Sequence, residues 1–208
     1  MVEDGGEARQ LVNYIDSLSG FTRYTEIDGN YGHVGAILAD AVLQSRNDYE
    51  KNVRPRITRI RTQYKEATSL QDLKRLLLQV TVEQFLGWNS PRKSKAFRDL
   101  IQLFDREKVN TEDDMRQWIE REGSSAKLHE IHFIGPKTVA YLKILVGLPY
   151  AAMDMHLFNF LKLAGLDVGQ NHDRGQTIVH DAADMMNMNR AHLDHSIWRY
   201  MRDAGAAV

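Results

Sequence analysis

The residues of this chain best suited to chemistry gather between residues 132 and 156. Gly135 and Pro136 precede Lys137, Thr138 and Val139, and the following AYLKILV offers Leu142, Leu145 and Val146 as an apolar helix face. Glycine suits a cap and proline suits the first helical residue, so this spacing puts Lys137 in the first turn of a helix. There its ammonium meets the positive end of the helix dipole, which disfavours the charged form, and an uncharged lysine is a nucleophile. The N–H groups of Lys137, Thr138 and Val139 are expected to point outward from the helix start, an arrangement that binds phosphate. The plainer alternative is a solvated lysine behind a structural turn.

Beyond Gly147 and Pro149 lies AAMDMHLFNFL, in which Asp154 stands at the expected start of another helix. Aspartate is a good N-cap there. Ala151, Ala152, Met153, Met155 and Leu157 make its surroundings apolar, a setting that raises a carboxylate's pKa or sharpens its effect on a nearby cation.

The elements that must position these two groups are helices. No segment alternates with period two as a half-buried strand does. Ser69 with Asp72, Thr81 with Gln84 and Thr111 with Asp114 have capping-box spacing, and Ser90-Pro91 supplies a cap with a first-turn proline. Asp173 with Gln176 and Asn189 look like further starts, while Gly20, Gly87, Gly123, Gly147 and Gly165 look like stops. The expected helices are 7–18, 33–44, 48–65, 70–78, 81–86, 91–107, 112–121, 125–130, 136–146, 154–163, 174–186 and 190–203, with Pro55 kinking or splitting the third. The fold class is therefore all-α.

With 208 residues and 43% hydrophobic content, the chain is long enough for one globular unit or two small lobes. There is no cysteine, which rules out disulfides, thiolate zinc sites and cysteine-ligated iron–sulfur clusters. No apolar run reaches the roughly 18 residues of a membrane span, and MVEDGGEARQ lacks the plan of a signal peptide, so an intracellular, cytoplasmic protein is expected. A net charge of -1 argues weakly against nucleic acid, but bases outnumber acids between Arg46 and Arg98 and the sign reverses from Asp99 to Glu130. One basic face would suit DNA. Trp88, Trp118 and Trp198, with Met185, Met186 and Met188, are expected in cores rather than on a base-stacking surface.

The run IHFIGPKTVAYLKILVG followed by AAMDMHLFNFL resembles the signature of the helix-hairpin-helix DNA glycosylases, the superfamily that includes endonuclease III. Weaker similarities lie in ILADAVLQSRND, WNSPRKSKAF and DHSIW, so the resemblance covers roughly residues 33–202. The sequence departs from the pattern at Phe133, which stands where the hairpin has its first glycine, and at Pro136, which removes one N–H donor. The iron–sulfur loop is missing as well.

The resemblance implies a two-lobed all-α fold, with residues 28–150 as a helical barrel lobe and residues 1–27 plus 151–208 as a second lobe. It implies a repair glycosylase with abasic-site lyase activity, acting on duplex DNA that carries a damaged base or an abasic site; with Phe133 in the hairpin that usually holds a cation, no metal or other cofactor is expected, and the protein is expected to be a monomer. Lys137 falls on the Schiff-base lysine, Asp154 on the catalytic aspartate and His156 on the histidine two residues beyond, a possible pocket residue. Gly135, Thr138 and Val139 would hold phosphate, Ser45, Arg46 and Asn47 would fill the gap left by a flipped base, and Arg92, Lys93 and Lys95 would contact further phosphates. Two other readings stay open. A non-catalytic hairpin module would bind DNA without using Lys137 or Asp154. A metal phosphohydrolase would use His180-Asp181 with Asp184, although His129, His132, His156, His172, His192 and His195 supply no convincing partner.

Overall fold

A computed structural model describes residues 4–205 of the chain. Among the described residues there is no strand, and no helix is long and apolar enough to cross a membrane. The helices are α1 (Asp4–Ser17), α2 (Val34–Leu43), α3 (Arg54–Gln63), α4 (Leu70–Leu76), α5 (Val82–Leu86), α6 (Pro91–Arg106), α7 (Glu112–Ile119), α8 (Ser124–His129), α9 (Pro136–Leu145), α10 (Met155–Leu163), α11 (His172–Met185) and α12 (Arg190–Gly205). A π-helical turn, Tyr49–Val53, precedes α3, and Pro55 sits in the first turn of α3. The expected helix 48–65 is therefore split, because a proline has no N–H to continue a ladder begun upstream.

The chain divides into two compact units, Asp28–Leu148 and the pair of segments Met1–Ile27 and Pro149–Val208. The first unit is organised around α2. Its sequence VGAILADAVL is apolar almost all round, so every residue of it is buried, and α3, α4, α6 and α9 pack against it. His33 caps it: Nδ1 accepts from Ala36 N at 3.0 Å while Nε2 donates to Tyr64 O at 2.8 Å. Burial lowers the pKa of this imidazole, which keeps it neutral and able to do both. Gly35 lets the Ala67–Phe85 layer close onto α2, since a Cβ there would stand 2.9 Å from Phe85 Cζ. Trp118 lies in this core, edge-on to Phe104, with its Nε1 donating to Glu107.

The second unit joins both ends of the chain. α1 packs on α11 and α12 packs on α10 and α11, burying Ala8, Leu11 and Ile15 with Val179, Ala182 and Ala183. Phe160 of α10 is ringed by Tyr14, Phe21 and Tyr200. Met186, Met188 and Trp198 pack against this core, whereas Met185, at the end of α11, is 46% exposed. α11 begins at His172 behind Asn171, whose side chain accepts from Arg174 N. The cap expected at Asp173 thus lies two residues upstream, and Asp173 serves instead as the acid of the first turn.

Candidate functional site

In the first unit, α8 and α9 form a helical hairpin whose turn is closed by Ile134 N donating to Ile131 O at 3.0 Å. His129 Nδ1 lies 3.3 Å from Ile134 O, and Ile131 and Ile134 anchor the turn in the core. Phe133 adopts φ +76, the left-handed conformation that glycine takes without strain. The turn therefore keeps a glycine-like backbone despite carrying a phenylalanine, at a steric cost of about 1–2 kcal/mol. The ring is 44% exposed, its centroid lies 4.0 Å from that of His132, and the Arg92 guanidinium sits over it at 5.4 Å.

Gly135 caps α9 with extended backbone, and a Cβ added to it would meet no atom within 4 Å, so the helix start is sterically open. Lys137 is half-buried in the first turn. Of the three N–H groups expected to face outward, that of Val139 does not: it donates to Gly135 O at 3.0 Å, the first hydrogen bond of the helix. The side chains of Thr138 and Val139 are buried at 6% and 4% exposure. A ligand at this helix start would meet the backbone N–H groups of Lys137 and Thr138, not Val139.

In the second unit, Asp154 is the N-cap of α10, its Oδ1 accepting from His156 N at 2.9 Å and Leu157 N at 3.1 Å. The backbone leading to it is pinned by side chains of α11 and α12. Ala151 N donates to His180 Nε2 at 3.0 Å, Gln176 donates to Ala151 O, and Ala152 N donates to Asp194 Oδ2. Ala151, Ala152, Met153 and Leu157 are buried as expected of an apolar setting, but Met155 is 61% exposed. His156 is half-buried and stands edge-on to Trp198, ring centroids 6.4 Å apart.

One family, described as a domain of unknown function (DUF8548), matches residues 9–202. The chain belongs to that family. Comparison with curated proteins and with solved structures gives no match. The DUF8548 match runs through both units, so the domain comprises the hairpin and the Asp154 segment together.

The remaining candidate residues lie in the first unit. Ser45, Arg46 and Asn47 form the turn after α2, with Arg46 exposed at φ +56 and Asn47 Nδ2 donating to Leu43 O at 2.7 Å. Lys95 pairs with Asp99 at 2.6 Å. Lys93 is not turned toward a phosphate: its ammonium donates to the carbonyls of Val42, Leu43 and Ser45 at 2.9, 2.9 and 2.8 Å. The run of bases is largely engaged within the fold. Lys51, Arg54, Lys74, Arg75 and Arg98 are in ion pairs, Arg56 and Arg59 donate to backbone carbonyls, and Arg61 lies over Tyr31. Among the described residues only Arg46 and Lys65 of that run lack such a contact. Exposed pairs are worth about 0–1 kcal/mol, so they can exchange a carboxylate for a phosphate at little cost.

His180 is occupied as an acceptor from Ala151, and Asp184 pairs with Arg190 at 2.7 Å. This arrangement gives His180 a structural task, where the alternative phosphohydrolase reading would have it hold a metal ion. No group of three or more His, Asp or Glu arranged to hold a metal ion occurs among the described residues.

One cluster had no signal in the sequence. Asp40 of α2 is fully buried, and its carboxylate accepts from Tyr31 at 2.7 Å, Tyr49 at 3.1 Å and Tyr141 at 3.2 Å. Burial pushes the Asp40 carboxyl up to about 7, against the pull of the three hydroxyls, and burial beside that carboxyl pushes all three phenols up. Tyr141 lies one helical turn beyond Lys137 on α9, so the cluster fixes the face from which Lys137 projects. A raised carboxyl favours the folded state while it is protonated. Its contribution is complete below about pH 4 and is lost as pH rises through 7. Asp40→Asn, which stays neutral, is therefore expected to gain on the parent in urea unfolding between pH 4.5 and pH 7.5, by about 3 kcal/mol. Parallel profiles for the two proteins would show that Asp40 does not titrate in this range.

Proposed function

We propose that the protein excises a damaged base from duplex DNA and then cleaves the strand at the abasic sugar, as a glycosylase with associated lyase activity. The observation that supports this most is the hairpin itself: a glycine-like backbone at Phe133, an open helix start at Gly135, and Lys137 in the first turn beyond it. In this reading, a helix start that offers N–H groups to phosphate would bring an amine of its first turn to the same strand's sugar.

In this reading the damaged base is first drawn out of the stack. The Lys137 amine then bonds to the anomeric carbon as the glycosidic bond breaks, its electron pair and a proton leaving with the base. The remaining proton on the nitrogen passes to the ring oxygen as the sugar ring opens, which gives the Schiff base. Removal of a proton from the adjacent sugar carbon expels the 3′ phosphate, and water releases the amine. The role proposed for Asp154 is to oppose the positive charge that develops on the sugar. Its hold on two N–H groups of α10 fixes the orientation of the carboxylate.

Borohydride reduction of the protein with an abasic duplex tests the reading, since it converts the Schiff base into a stable adduct. A covalent protein–DNA band is expected. Duplex affinity without any band would reduce the hairpin to a binding module.

A further inference from the structure

We propose that Lys93 is a positioning residue for the turn at Ser45–Asn47, its ammonium acting as a tethered cation in a three-carbonyl site at the end of α2. The inference rests on the reading above only for what the turn touches, a DNA duplex.

The last carbonyls of a helix have no intrahelical partner and carry the negative end of its dipole. At most helix ends water satisfies them. α2 is buried throughout, and Gln44 behind it is 6% exposed, with its Nε2 buried and without a hydrogen-bond partner among the described residues. The inner side of this turn is part-buried. Lys93 takes the place that water fills elsewhere, since the three N–H donors of an ammonium match the three carbonyls of Val42, Leu43 and Ser45.

The placement does not serve the helix that carries the lysine. Lys93 is the third residue of α6, behind the cap Ser90, where a positive charge opposes that helix's own dipole. Desolvation lowers its pKa to about 8, a further penalty on the charged form. Both penalties are offset only at the far end of the side chain, on the turn. There Ser45 is held by Lys93 and Asn47 is held by its own bond to Leu43, so the residue between them is fixed from both sides. That residue is Arg46, in the left-handed region, exposed, and without an ion pair or hydrogen bond among the described residues. The clamp thus presents one uncommitted guanidinium in a fixed direction.

The test uses the whole chain and reads amide hydrogen exchange at residues 45–47. Lys93→Ala is expected to speed exchange there at least tenfold, with α11 amides unchanged, and n-propylammonium chloride, which replaces the missing tail, is expected to slow it again. Tetramethylammonium, with no N–H, is expected to do nothing. Unchanged exchange at the turn, or equal effects of the two cations, would overturn the proposal. If Lys93→Ala does not fold, Lys93→Met keeps the stem and omits the charge; a turn as protected in Lys93→Met as in the parent overturns it too. In borohydride trapping, the substitution is expected to raise the DNA concentration for half-maximal adduct severalfold while leaving the maximal rate within twofold. Exchange is read without DNA, so a parent protein that forms no adduct defeats the lyase reading alone, whereas an unaltered turn defeats the clamp alone.

Discussion

Lys137→Ala is expected to abolish the borohydride-trapped adduct with an abasic duplex, lowering its yield at least about 100-fold, while duplex affinity stays within a few-fold of the parent. The reduction captures only a nitrogen bonded to the sugar, and in the proposed chemistry that nitrogen is Nζ of Lys137. Alanine is the residue most favourable to a helix interior, so α9 has no local reason to unwind. Val139 N still donates to Gly135 O, and Leu142 and Leu145 remain in the core. A drop in trapping with the helix intact therefore reports on the amine. Trapping by the variant at the parent's level would remove Lys137 from the mechanism, whatever becomes of the rest.

The second large effect is expected at Asp154. Asparagine and aspartate are comparable N-caps, so Asp154→Asn keeps an oxygen for His156 N and Leu157 N and should shift stability by less than about 0.5 kcal/mol. What it removes is the negative charge. An electrostatic group facing charge that develops in a transition state is typically worth about 100- to 1000-fold in rate. Single-turnover excision on a lesion duplex that the parent cleaves should fall by that factor with duplex affinity unchanged. Asp154→Ala separates the two roles further: it should lose the same activity and also about 1 kcal/mol of stability. Excision by Asp154→Asn equal to the parent's would leave this residue only its capping role.

Much of the fold was legible in the sequence because helix ends carry local signals. Ser69, Thr81, Ser90 and Thr111 are the caps their spacing suggests, and Thr81 and Thr111 form complete capping boxes. Asn189 accepts from Ala191 N at the start of α12. The five glycines read as stops all have positive φ. The candidate site was legible only where a single segment carries it, as in Gly135-Pro136-Lys137 and the cap at Asp154.

What stayed hidden depends on groups that sequence does not mark. The acceptors of Lys93 are backbone carbonyls, which every residue possesses, so a lysine in a basic run gives no sign of being directed inward. The tyrosines around Asp40 come from positions 31, 49 and 141: the chain folds back on either side of α2 for the first two, and the packing of α2 against α9 brings the third. The pinning of Ala151 and Ala152 by His180, Gln176 and Asp194 is hidden for the same reason.

The unit that contains Asp154 has its first helix at the start of the chain and its last at the end, with the whole of the other unit in between. During synthesis, α1 emerges long before α11 exists to cover Ala8, Leu11 and Ile15. The central segment can mature on the ribosome while the flanking one waits. A nascent chain released early would therefore carry the lysine on a finished scaffold and leave the apolar face of α1, with Ala8, Leu11 and Ile15, uncovered.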